Sequence, residues 1–225
     1  MPCTLEPETR LKRIACGLII AAALGTGSAC AQPAAAATPN LELMSAAREG
    51  DLAALESALG HGAVADSRNR IGRTALYEGA EQGRLEIVQR LLRAGAKVDL
   101  ASVAQVTPLM AACYAGHPEV VRALLDAGAR VDAVDRLGKT AMVYAAGQGR
   151  TAVVQLLLDR GVAVDAPYAN RLTALMWAAG QGQADTVRLL LARGARRDLR
   201  DDRGYTAARI AREAGHADVA ALLQP

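Results

Sequence analysis

Four residue series run through this chain of 225 residues with a single spacing. Thr74, Thr107, Thr140, Thr173 and Thr206 lie 33 residues apart. So do the glycines at 50, 83, 116, 149, 182 and 215, and a second glycine series from Gly62 to Gly194. Asp66, Asp99, Asp132, Asp165 and Asp198 form the fourth. A fixed period of this length marks a stacked repeat, in which each unit is one supersecondary element that cannot bury its apolar face alone.

Each period reads alike. A turn leads to Thr, whose hydroxyl suits a helix N-cap. A short Ala-rich helix follows, as in TALMWAAGQG from Thr173 to Gly182. Glycine ends it, because a left-handed residue at a helix end carries no steric cost without a Cβ. A second helix follows, as in ADTVRLLLARG from Ala184 to Gly194, with the larger aliphatics and a second closing Gly. Phe is absent, which favours close helix-on-helix packing.

The run Thr107-Pro108-Leu109-Met110-Ala111-Ala112, continued by Gly116-His117-Pro118-Glu119-Val120-Val121, Leu124-Leu125 and Gly128-Ala129, resembles an ankyrin repeat. The family pattern is G-x-T-P-L-H-x-A-A-x-x-G-H-x-E-V-V-x-L-L-L-x-x-G-A-x-V-N/D. The resemblance covers residues 40–225. It implies an all-α solenoid of about six helix-turn-helix units with short hairpin-like fingers, near 40–68, 69–101, 102–134, 135–167, 168–200 and 201–225. It further implies that fingers and first helices line a concave groove used to hold a protein partner. The chain departs from the pattern where the family has His after T-P-L: Tyr77, Met110, Val143, Met176 and Arg209 stand there. Only one unit keeps Pro after Thr, at Pro108.

The N-terminus reads differently. Arg10, Lys12 and Arg13 precede an apolar run of 11 residues, Ile14 to Leu24, and small residues end at Ala29-Cys30-Ala31. This is the pattern of a secretory signal peptide over residues 1–31, cut after Ala31. The run is too short to span a bilayer, which takes about 20 apolar residues. No paired arginines precede it, which favours general secretion. A second reading makes Cys30 a lipid-attachment cysteine, although Gly27 stands where such signals usually carry Leu. Residues 32–39 read as an Ala/Pro-rich linker. The expected location is therefore the bacterial periplasm.

Removing the leader takes three basic and two acidic residues from totals of 26 and 23, leaving a net charge of +2. That is too weak for a nucleic-acid footprint. The leader also takes Cys3, Cys16 and Cys30, so only Cys113 remains and an internal disulfide is impossible. Cys113 fills the slot held by Ala80, Ala146 and Ala179, which reads as a small packing residue. His117 and His216 share a turn position, and no histidine has metal-ligand spacing. The aspartate series would bond turn backbone. Calcium would need several oxygens converging within about 2.6 Å. No nucleophile elbow or phosphate-binding loop is present. No cofactor is expected, and the chain is expected to be a monomeric non-enzyme without a transmembrane segment after cleavage.

A partner site must then lie where the units differ. On the first helices the groove side carries Glu78, Glu81 and Gln82; Ala111, Tyr114 and Ala115; Tyr144, Gly147 and Gln148; Trp177, Gly180 and Gln181. Tyr114, Tyr144 and Trp177 would place one ring in each of three adjacent units, open to the groove or folded down as core. Finger residues add Arg70, Ile71, Arg73, Val106, Arg136, Leu137, Lys139, Leu172 and Tyr205, with Val103, Val106, Leu137 and Leu172 as an exposed apolar strip. Three functions compete: a scaffold holding a protein, a module binding a peptide or cell-wall fragment, and a thiol-dependent protein using Cys113.

Overall fold

A computed structural model describes residues 38–224. The expected leader at 1–31 lies outside the described residues. Among the described residues twelve α-helices form six antiparallel pairs: α1 (Pro39–Glu49) with α2 (Leu52–Gly60), α3 (Ala75–Glu81) with α4 (Leu85–Arg93), α5 (Pro108–Ala115) with α6 (Pro118–Asp126), α7 (Ala141–Gly147) with α8 (Thr151–Asp159), α9 (Ala174–Gly180) with α10 (Ala184–Ala192), and α11 (Ala207–Glu213) with α12 (Ala217–Leu222). Helix α1 begins at Pro39, one residue inside the stretch read as linker. No strand occurs among the described residues.

Helices of seven to nine residues are marginal alone, since isolated helices shorter than about 12–15 residues barely form in water. Here stacking supplies the stability. Each first helix packs on the next first helix, and each second helix on the next second helix. The inner first helices, α3 to α9, are buried over most of their surface: Ala145, Ala146, Ala178 and Ala179 are fully buried, beside Leu175 and Met176. Alanine lets the backbones approach, while Ile87, Leu91, Leu124, Leu157 and Leu190 fill the second layer. Cys113 is one of these packing residues, wholly buried.

The helix ends follow the sequence logic. The hydroxyls of Thr74, Thr107, Thr140, Thr173 and Thr206 each accept from the backbone N–H three residues on, at 3.2–3.5 Å; each such cap contributes about 1 kcal/mol. At the end of α10, Gly194 has φ +87° and its N–H donates to Leu191 O at 3.0 Å. The Ala195 N–H donates to Leu190 O, also at 3.0 Å. This pair of bonds satisfies the orphan carbonyls of the last turn.

The helix-ending glycines of the first helices have a second duty. A Cβ on Gly83 would stand 2.6 Å from Nδ1 of His117, and one on Gly182 would stand 2.7 Å from Nδ1 of His216. Arg84 covers Gly50, Arg150 covers Gly116 and Gln183 covers Gly149 in the same way. The side chain that opens each second helix thus lies across the glycine of the preceding unit. Three of them also bond its helix end: Arg84 Nε to Arg48 O at 3.4 Å, Arg150 Nε to Tyr114 O at 3.0 Å and Gln183 Nε2 to Gly147 O at 3.3 Å.

Two more links join neighbours. The aspartates reach forward into the next unit: Lys97 N, Arg130 N and Arg196 N donate to Asp66, Asp99 and Asp165 at 2.8, 3.1 and 3.0 Å. They accept from turn backbone, as expected, and the backbone they serve is that of the following unit. The finger tips are tied backbone to backbone, Val103 N to Ile71 O, Arg136 N to Ala104 O and Asp202 N to Asn170 O.

Each link is missing once. Among the described residues, Ala163 N makes no bond to Asp132, between the third and fourth units, and Ala169 N makes none to Leu137 O, between the fourth and fifth, although the aspartate link there from Arg196 N to Asp165 is intact. At the finger tips the cause is local. Asn69, Asp135 and Asp201 accept from the amides of their own fingers, and Ser102 does so through its hydroxyl. Tyr168 holds that slot in the fifth finger and its phenol cannot fold back to do so. The finger becomes a 3-10 turn, Ala169–Arg171, with Asn170 and Arg171 both at positive φ. A cavity of about 540 Å³ lies beside it, walled by Val131, Val134, Val162, Pro167 and Tyr168.

Candidate interaction groove

The three rings foreseen on α5, α7 and α9 form a step across three units. Tyr114 meets Tyr144 edge-to-face, with centroids 5.9 Å apart and planes at 81°, a favoured aromatic geometry. The Lys139 ammonium lies 5.7 Å from the Tyr144 centroid and 4.9 Å from that of Trp177. Trp177 leans over Gly147, where a Cβ would already touch its ring at 4.0 Å. The indole of the next unit thus packs over Gly147, with space for an ordinary contact between them. Tyr114 is 48 % exposed, while Tyr144 and Trp177 are half-buried. Neither of the two is core and neither stands free. With Val143, Gln148 and Gln181 they enclose a small recess of about 120 Å³.

Asp135 fixes the edge of this recess. One carboxylate oxygen accepts from the amides of Leu137 and Lys139, both at 2.8 Å. The other accepts from the Tyr144 hydroxyl at 2.6 Å. Desolvation first, and then the bond to Asp135, pushes the Tyr144 phenol well above the usual tyrosine range. The fourth finger is thereby locked to α7. Sequence reading missed this role, although Asn69 and Asp201 at the same repeat position were a signal that a finger-closing acceptor belongs there.

The fingers differ from expectation in two respects. Val106 and Leu172 are half-buried and lean on the core, so they do not belong to an exposed strip. The exposed apolar tips are Ile71, Val103 and Leu137, at 55, 48 and 69 %, on the second, third and fourth fingers. Arg73 is also not a free finger cation. It pairs with Glu81 at 2.8 Å and lies 4.5 Å over the Tyr77 ring. Beside it Glu78 is only 3 % exposed and takes Arg48 Nε at 3.1 Å, as a buried carboxylate must be paired. Arg70 and Arg136 are exposed and make no ion pair among the described residues. Tyr205 stands apart from the ring step, held between Arg203 and Arg209 at 4.7 and 3.6 Å.

The remaining candidates for chemistry resolve into structure. Burial pushes the Cys113 thiol far up, away from the reactive thiolate. His117 and His216 lie on glycines, and His61 is an exposed residue bonded to Ser57 O. No cluster of three or more His, Cys, Asp or Glu that could hold a metal occurs among the described residues. No helix among them is long and apolar enough to cross a membrane.

A family model described as ankyrin repeats (three copies) matches residues 43–135, 98–168 and 163–225. The chain belongs to the ankyrin-repeat family. Ankyrin repeats serve in general as protein–protein interaction modules. No curated protein matches the chain. Within this ankyrin array the third residue of the first helix, usually His, is buried in α5, α7 and α9 as Met110, Val143 and Met176. Side-chain hydrogen bonds between repeats come instead from Arg84, Arg150 and Gln183 at the glycines and from Asp66, Asp99 and Asp165.

Proposed function

We propose that this ankyrin-repeat protein is a non-catalytic scaffold of the bacterial periplasm that docks a protein segment across its second to fourth fingers and the ring step behind them. One observation carries the reading: exposed apolar tips and a partly open aromatic step occupy the same side of adjacent units. Aromatic side chains held in place by neighbours are favoured anchors of binding surfaces, and contiguous exposed apolar surface marks such sites. The leader pattern from Arg10 to Ala31 supports export.

The test pairs capture with substitution. Wild-type chain and the Tyr114→Ala, Leu137→Ala variant are used to capture partners from periplasmic extract, with mass spectrometry as the readout. Both side chains are exposed, so the variant should keep the wild-type unfolding midpoint. A partner retained by wild type and lost by the variant supports the groove; equal capture sinks it. A soluble peptidoglycan fragment added as competitor separates the runner-up reading, a cell-wall module. Fractionation with N-terminal sequencing tests export: a periplasmic chain beginning at Gln32 is expected.

A further inference from the structure

The groove has a charge as well as a shape. The first helices α5, α7 and α9 carry no charged side chain over their whole length. Around them the carboxylates are already engaged. Glu78 pairs with Arg48, Glu81 with Arg73, and Asp135 accepts two amides and the Tyr144 hydroxyl. The cations are not. Arg70, Arg136 and Lys139 make no ion pair among the described residues, and they alternate with the apolar tips Ile71 and Leu137. The other acidic residues of the third to fifth units lie on the second helices, as Glu119, Asp126, Asp159 and Asp185, or in the turns after them, where Asp132 pairs with Arg130, Asp165 accepts the Arg196 amide and Asp198 pairs with Arg196. The Asp126 and Asp159 carboxylates are bound by Arg160 and Arg193 of the following unit.

We infer that the occupant of the groove is an acidic segment of a protein, carrying Asp or Glu on either side of an apolar side chain, with the carboxylates meeting Arg70, Arg136 and Lys139 and the apolar group resting on the Tyr114–Trp177 step. The inference rests on the groove reading above and adds the chemistry of the partner. Three cations free of intramolecular carboxylates repel a basic segment and draw in an acidic one, since complementary charge sets partner choice and approach rate. Lys139 is central because its ammonium is held over two rings and still has N–H donors to offer.

Selection from a random library of 12-residue peptides on the full chain tests this. The expected winners carry more Asp and Glu than Lys and Arg. Their binding should weaken about tenfold in Arg136→Ser, Lys139→Gln, and by a similar factor between 50 and 300 mM salt. Winners without an acidic excess, yet lost in Tyr114→Ala, Leu137→Ala, overturn the charge inference and leave the groove reading standing. Winners insensitive to both variants overturn both. If no peptide is enriched, the acidic-segment inference fails. Inorganic polyphosphate binding that is lost in Arg136→Ser, Lys139→Gln would then assign the cations to a non-protein polyanion.

Discussion

The ammonium of Lys139 lies 4.9 Å from the ring centre of Trp177, which belongs to the next repeat. A cation over an indole contributes about 0.5–1 kcal/mol at an exposed site. It also sets the local potential at the only tryptophan in the chain. Iodide, an anion, should quench Trp177 more strongly than a neutral probe of the same access would suggest. In Lys139→Gln the iodide quenching constant should fall about twofold at low salt, while acrylamide quenching stays unchanged. Equal changes with both quenchers would mean that the indole had moved.

The glycines under the ladder of side chains should be less replaceable than those that merely turn the chain. Gly83 and Gly161 both have positive φ, +69° and +88°. A Cβ on Gly161 meets nothing within 4 Å, whereas one on Gly83 runs into the His117 ring. Each Ala substitution bears the left-handed cost of roughly 1–2 kcal/mol. Gly83→Ala should be the worse, and His117→Ala should restore the difference but not the shared backbone cost. Urea unfolding midpoints of the two singles and the His117→Ala double variant measure this.

The finger turn needs a left-handed residue at one repeat position, and the sequence supplies it unevenly. Gly72, Gly138 and Gly204 alternate there with Gln105 and Arg171, whose φ values are +63° and +55°. Replacing either non-glycine residue by Gly should stabilise the array by roughly 0.5–1 kcal/mol, the relief being partly offset by a freer unfolded chain. Gly138→Ala should destabilise it, because a Cβ there stands 2.9 Å from that of Ala169. Thermal or urea midpoints decide the sign.

Tyr144 ties stability to alkaline pH. Its folded-state pKa is raised, by burial first and by Asp135 second, above the ordinary 10.0. The folded chain therefore holds this proton where the unfolded chain has released it. The stabilisation is complete below pH 10 and declines as pH rises beyond it. Tyr144→Phe should cost about 1–3 kcal/mol at neutral pH, since it removes a donor from the buried Asp135 carboxylate. It should also flatten the loss of stability between pH 9 and 11. A variant that loses stability over that range as steeply as wild type would show that another group governs it.

Much of this was legible from single residues at fixed spacing. The Thr caps, the glycine helix ends and the burial of Cys113 follow from local backbone rules that repeat in every unit, and the ring step follows from helical spacing of Tyr114, Tyr144 and Trp177. The failures share a cause, which is dependence on a neighbour in three dimensions. Arg73 looked free because its partner Glu81 lies on the helix that follows. Val106 and Leu172 looked exposed because nothing local shows that their side chains turn to the core. The aspartates were legible as acceptors for turn backbone, but not that the amides they serve lie 31 residues ahead. Nothing in the sequence singled out Tyr168, and only the fold reveals which bond it displaces.

The gap beside Tyr168 gives the array a seam. That seam is confined to the tips of the fourth and fifth fingers, because the bodies of the two repeats stay joined by Arg196 N on Asp165, Gln183 on Gly147 O and Arg193 on Asp159. The fifth finger, Tyr168 to Leu172, should therefore open ahead of the helices it precedes. The ring step spans the same two repeats, with Tyr144 and Lys139 in the fourth and Trp177 in the fifth. A partner resting on all three would act as a splint, so docking and stiffening of the fifth finger would be a single event.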